Sequence, residues 1–225
     1  MKDLSNGSGP VKEQCVIMAL SKLTKHAIIS LVVVFWHVGG VGFAQGASPT
    51  ESVKGSINEV IRILKDESLK KPDKADERRR LLEKTVGERF SYEEMSKRSL
   101  GAQWQSLNEK ERQEFVELFQ EFLTNSYADR ITGYSGEQVQ YLGERIEQSF
   151  AEVRTKVVSG KTEIPLDYRM MNKSGDWRVY DVVIDGVSLV NNYRGQFSKI
   201  IRTSSYADLV EKLKKKSAKI SSPAP

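Results

Sequence analysis

Tyr180 with Asp181, and Asp185 beside Gly186, come closest to an acid/base constellation in this 225-residue chain. A positioned carboxylate next to a phenol can move a proton to or from a substrate. Asp181, however, falls in phase with Trp177, Val179 and Val183, which turns it inward, toward backbone amides or a Tyr or Arg partner. Asp185-Gly186 reads as a turn leading into the following helix. Other chemistries are excluded more firmly. His26, His37 and Cys15 all lie within the first 47 residues, so the rest of the chain holds neither residue type. Thiol nucleophiles, disulfides, Ser-His-Asp triads and histidine zinc sites are ruled out there, leaving carboxylate, Lys, Tyr or Ser-Lys chemistry. No G-x-x-x-x-G-K-[ST] phosphate loop occurs. We assign no catalytic residue, no metal ligand and no cofactor.

Large apolar side chains are the more informative population. Phe115, Phe119, Phe122 and Tyr127 recur along one helical face, and alternating apolar residues follow further on. Such side chains on facing elements either fill a core or line a cavity, and their pattern alone does not separate the two.

The elements that position them begin after a leader. Lys22, Lys25 and His26, the apolar run Ala27 to Val38 and the small-residue stretch Gly39 to Ala47 form a three-part export signal, with cleavage expected after Ala44 or Ala47. The run is shorter than the roughly 20 residues of a membrane span. A polar prefix ahead of Met18 is unusual for a signal peptide, so translation is expected to start at Met18. Residues 1–47 are thus read as leader, 48–216 as one domain and 217–225 as a disordered tail. Removing the leader takes the net charge from +5 to about +3, and nucleic acid is not an expected partner.

Ser48-Pro49-Thr50-Glu51 is a capping box with proline at the first helical position, followed by Val53, Ile57, Val60, Ile61 and Leu64 at helical spacing. Pro72 breaks the chain before a second helix from Asp73 to Gly87, charged on most faces with a thin stripe of Leu81, Leu82 and Val86. A Ser91/Glu94 box predicts a short third helix ended by Gly101 in a left-handed conformation. A Ser106/Glu109 box predicts a long one to Ile131. After Gly133 the period becomes two: a strand across Glu137 to Glu147, then strands around Ala151 to Val157, Ile164 to Met170 and Trp177 to Val183, with turns at Ser159 to Lys161 and Asn172 to Asp176. Helices close the chain at Ser188 to Arg202 and Tyr206 to Lys216. The lysines from Lys212 to Lys219 either complement the negative helix end or meet anionic headgroups. Helices, a meander and further helices describe an α+β domain.

The run Asp176-Trp177-Arg178-Val179-Tyr180-Asp181 to Gly186-Val187-Ser188-Leu189-Val190 resembles the signature of the MlaC/toluene-tolerance family, W-x-x-Y-D followed by G-V-S and an apolar pair ahead of a helix. Leu100-Gly101, Trp104 and the aromatic helix through Phe122 and Tyr127 resemble the family's upstream pattern. Two features depart from it: the long prefix and the arginine-rich segment Glu77 to Arg80.

The resemblance implies an NTF2-like α+β fold, amino-terminal helices packed on a curved antiparallel sheet with carboxy-terminal helices, and an apolar cavity between them. It implies a periplasmic, monomeric carrier whose partners are phospholipid or a hopanoid-related cargo, an MCE-domain ABC transporter complex at the inner membrane and an outer-membrane lipoprotein complex, with transient membrane contact. The lipid-binding residues expected on that basis are Trp104, Phe115, Phe119, Phe122, Tyr127, Val153, Val157, Leu166, Tyr168, Met170, Trp177, Val179, Val183, Val187 and Leu189. The rivals are an exported enzyme using Asp181 or Asp185 and a structural adaptor with a solid core.

Overall fold

The computed structural model describes residues 46–221; the expected leader lies outside them except for Gly46 and Ala47. Helix α1, Pro49–Lys65, starts as its capping residues dictate, with Ser48 Oγ accepting from the Glu51 amide at 3.2 Å. The Glu144 carboxylate, distant in sequence, takes the Thr50 amide at 2.8 Å and fixes that helix end to the sheet. A 3-10 turn at Pro72–Lys74 leads into α2, Ala75–Arg89. Leu82 is buried against Ile63, Leu64 and Leu69, while Leu81 stays exposed.

Helix α3, Tyr92–Leu100, follows at once. Its Glu94 does not close a capping box, because that carboxylate is drawn to Arg98 at 2.7 Å. Gly101 ends the helix at φ 58°, ψ −125°, in the left-handed half of conformational space but outside the left-handed helical region expected for it. A short α4, Gln103–Ser106, precedes the long α5, Glu109–Thr132. The box that starts α5 is Asn108/Glu111, each side chain bonding the other's amide at 3.0 and 2.8 Å. Ser106 is unavailable for that role because its hydroxyl donates back to the Gln103 carbonyl at the end of α4.

Five antiparallel strands then run as a meander in the order β1-β2-β3-β4-β5. They are β1 Gln138–Glu147, β2 Phe150–Ser159, β3 Thr162–Lys173, β4 Asp176–Ile184 and β5 Val187–Ser188. Asp185-Gly186 joins β4 to β5 with positive φ at both positions, the backbone of a tight hairpin turn. One register shift decides which side chains face the helices. Met170 pairs with Val179 but Arg169 pairs with Asp181, so Tyr180 is an extra residue, a bulge in β4. Trp177, Val179, Val182 and Ile184 therefore share one face, and Asp181 and Val183 the other. The simple alternation that placed Asp181 and Val183 with Trp177 and Val179 does not survive the bulge.

Ser188 caps α6, Leu189–Thr203, by accepting from the Asn191 amide at 3.1 Å. The last helix, α7, spans Tyr206–Ser221 and so runs past Lys216 into the segment expected to be disordered. The reason is Ser217, buried on α5, which accepts from Asn125 at 3.0 Å and donates to Glu121 at 2.7 Å.

Two apolar regions result. α3, α5, α6 and α7 enclose a cluster centred on Phe115, Phe119 and Phe197. α1 covers the sheet through Val53 on Ala151, Val153, Met170 and Val179. Arg89, at the end of α2, ties the second region together by donating to Ser56, Asp176 and the Trp177 carbonyl at 3.1, 3.0 and 2.5 Å. Helices on one face of an antiparallel sheet make this an α+β fold. No helix among the described residues is long and apolar enough to cross a membrane.

Candidate functional site

A cavity of about 460 Å³ lies between the sheet, α2 and the second half of α5. That volume is within the range of small-molecule sites, about 300 to 1,000 Å³. The sheet contributes Leu166, Tyr168, Val182 and Ile184; α2 contributes Leu82 and Val86; α5 contributes Leu123, Tyr127, Ala128 and Ile131. Its inner end is closed by Met95, 1% exposed, and by Leu189 at the start of α6. At the other end the lining includes exposed Ala75, Arg79 and Thr132, which marks the mouth.

Polar groups in the wall are few and mostly engaged. Arg79 donates to Glu83 and to Asn125, each at 2.7 Å, and so links α2 to α5 across the mouth. Burial pushes the Tyr92 phenol pKa up, and its hydrogen bond with Thr124 holds that shift back. Burial also raises the phenol pKa of Tyr168, with the neighbouring Tyr141 adding to it.

Of the residues singled out from the sequence, Tyr127, Leu166, Tyr168 and Leu189 line this cavity. Phe115, Phe119, Phe122 and Trp104 pack instead in the helical cluster, and Val153, Met170, Trp177 and Val179 pack beneath α1. Val183 faces the opposite side of the sheet because of the Tyr180 bulge. Val157 pairs with Ile164 beyond the cavity lining, and Val187 is 59% exposed. Absent from the lipid-binding set expected from the sequence are Leu82, Val86, Leu123, Thr124, Ala128 and Ile131, of which Leu82 and Val86 figure in the sequence reading only as a helix stripe. The available signal was on α5, where Phe115, Phe119 and Phe122 give way to Thr124, Ala128 and Thr132 at four-residue spacing. Small side chains on a helix that still faces the interior leave room.

The carboxylates of the rival chemical reading have structural partners or positions. Asp181 is 3% exposed and accepts from Arg169 at 3.1 Å, Ser188 at 2.6 Å and the Val190 amide at 3.0 Å. It holds β4, β3 and the first turn of α6 together. Asp185 occupies the β4–β5 turn. Among the described residues no group of three or more His, Cys, Asp or Glu side chains is placed to hold a metal.

Comparison with known proteins agrees with this architecture. The intermembrane phospholipid transport system binding protein MlaC of Haemophilus influenzae is 28% identical over 120 residues, which are 51% of this chain and 56% of that protein. The chain thus aligns with little more than half the length of that relative. A crystal structure of a phospholipid-binding protein from Ralstonia solanacearum, in complex with a phospholipid, superposes with a TM-score of 0.70 at 22% identity, covering 78% of this chain and 100% of the other. That likeness shows the same fold. The profile of the MlaC protein family matches residues 54–215, a span that contains the sheet, the cavity and most of the helical cluster, and the chain therefore belongs to the MlaC family.

Proposed function

We propose that this chain is a periplasmic phospholipid carrier, non-catalytic, that holds acyl chains in the cavity between the sheet, α2 and α5. The observation that carries this reading is the cavity itself, about 460 Å³ and lined mainly by apolar side chains, in a fold shared with a protein solved with phospholipid bound. At roughly 30 Å³ per methylene, about the volume of one water in the liquid, that space takes on the order of fifteen methylenes, or about one acyl chain in the geometry described.

Each methylene withdrawn from water gains about 0.8 kcal/mol. A bilayer shelters the same chains about equally well, so exchange between protein and membrane lies near balance. Direction then comes from partners, and the carrier reading assigns these as an outer-membrane lipoprotein complex and an inner-membrane MCE-domain ABC transporter. The H. influenzae relative, described as a component of an intermembrane phospholipid transport system, supports that assignment. Export by the leader in residues 1–47 would deliver the carrier between them.

Native mass spectrometry with lipid extraction, on protein purified from its host's periplasm, tests the reading. Phospholipid at defined stoichiometry is the expected result. Protein that is repeatedly lipid-free and accepts no lipid from vesicles would return the choice to a structural adaptor.

A further inference from the structure

The three consecutive arginines of α2 are placed in three different ways. Arg79 is committed to Glu83 and Asn125. Arg80 is exposed, does not line the cavity and donates to the Asp76 carbonyl at 3.3 Å within its own helix. Arg78 is half-buried in the cavity wall, and among the described residues it has neither an acidic partner nor a hydrogen bond. The one carboxylate among the described lining residues, Glu83, is taken by Arg79. A permanently charged guanidinium thus sits on an apolar wall, one turn of α2 before Leu82, with its donors uncommitted among the described residues.

Such a group is best satisfied by a planar or tetrahedral oxyanion, which a guanidinium meets with two parallel donors. A phosphodiester with apolar chains attached presents its charge at the boundary where Arg78 stands. We propose that Arg78 holds the phosphate of the cargo lipid at the cavity mouth, so that the protein selects acyl chains joined to a phosphodiester over the same chains without one. This rests on the carrier reading. It adds that the headgroup phosphate is bound by the protein and that one residue accounts for most of the preference. Partial exposure of Arg78 weakens the pair through solvent screening, so the expected effect is tenfold rather than a hundredfold.

The test uses the full chain, stripped of lipid and incubated with vesicles containing either dioleoyl phosphatidylglycerol or dioleoylglycerol, with loading read by native mass spectrometry. Arg78→Gln is expected to lower phosphatidylglycerol loading about tenfold and to leave dioleoylglycerol loading within about twofold, while Arg80→Gln changes neither. Circular dichroism of each variant establishes that the fold is retained. Phosphatidylglycerol loading by Arg78→Gln equal to the unsubstituted chain would overturn the assignment and leave the carrier reading standing. An equal fall for both lipids would also overturn it, since Arg78 would then be supporting the wall. If the unsubstituted chain takes up neither lipid, the carrier reading fails and this assignment with it. Calorimetric titration with inorganic phosphate separates the remaining source: saturable binding that Arg78→Gln abolishes, with lipid loading unchanged, assigns the arginine to free phosphate and overturns the lipid assignment.

Discussion

Around Phe119, on the first half of α5, the rings of Phe115, Phe122, Tyr193 and Phe197 stand with centroids 5.8, 6.4, 5.5 and 5.4 Å away, and the side chain has no exposed surface. Further along the same helix, Thr124, Ala128 and Thr132 face the 460 Å³ cavity. The two halves differ in side-chain volume more than in polarity. Where five aromatic residues interlock, α6 and α7 close on α5; where the helix offers small residues, the sheet and α2 stand off. Tyr127 joins the two regions, lining the cavity while it hydrogen-bonds Tyr193 of the solid cluster. A closely packed aromatic half thus anchors α5, and its other half bounds an open space.

The largest expected effect strikes the solid half. Phe119→Ala removes a fully enclosed ring and is expected to cost about 3–5 kcal/mol, seen as a lower urea midpoint. A loss under about 1 kcal/mol would break the comparison, because the cluster would then be loosely packed.

Asp181→Ala comes next, at about 2–3 kcal/mol by equilibrium denaturation, since it takes the acceptor from the Val190 amide and the Ser188 hydroxyl at the start of α6. The same substitution addresses the rival chemistry, because the carrier reading expects lipid loading of the folded fraction to be unchanged.

Ala128→Trp reverses the pattern. Overpacking a tight core costs about 1–3 kcal/mol, but here the ring enters the cavity, so stability is expected to shift by less than about 1 kcal/mol while phospholipid loading falls about tenfold. A variant that loads lipid normally would place the guest elsewhere.

The smallest effect concerns pH. Burial, with help from Glu111 and Glu114, pushes the Tyr206 phenol up to about 12. The folded state thus keeps a proton that the unfolded chain releases near pH 10. The corresponding stability is complete below pH 10 and is lost as pH rises toward 12. Tyr206→Phe should flatten the fall in stability across that window, and tyrosinate absorbance during titration checks the assignment.

Much of the fold was readable because caps and turns are local. Ser48 acts within a few residues and caps α1 as its spacing requires, and the Asp185-Gly186 turn forms where expected, although it joins β4 to the two-residue β5 before α6 begins. Ser106 misled for a similar local reason, since two adjacent segments competed for one hydroxyl and α4 took it. The faces of β4 were not readable, because a bulge at Tyr180 inverts the alternation and is fixed by pairing with β3. The cavity wall was less legible still. Hydrophobic periodicity reports burial, and it marked Phe115 and Val153, which are buried in solid core. A void depends on what is missing between distant elements, so Thr124, Ala128 and Val86 carry little signal of their own.

The most direct test of the central claim is photo-crosslinking with a phospholipid bearing a diazirine near the end of one acyl chain, followed by peptide mapping. The account predicts labels on cavity residues such as Leu123, Ala128, Ile131, Leu166 and Ile184. Labels confined to the helices around Phe115 and Phe197, or no lipid-dependent label at all, would contradict it.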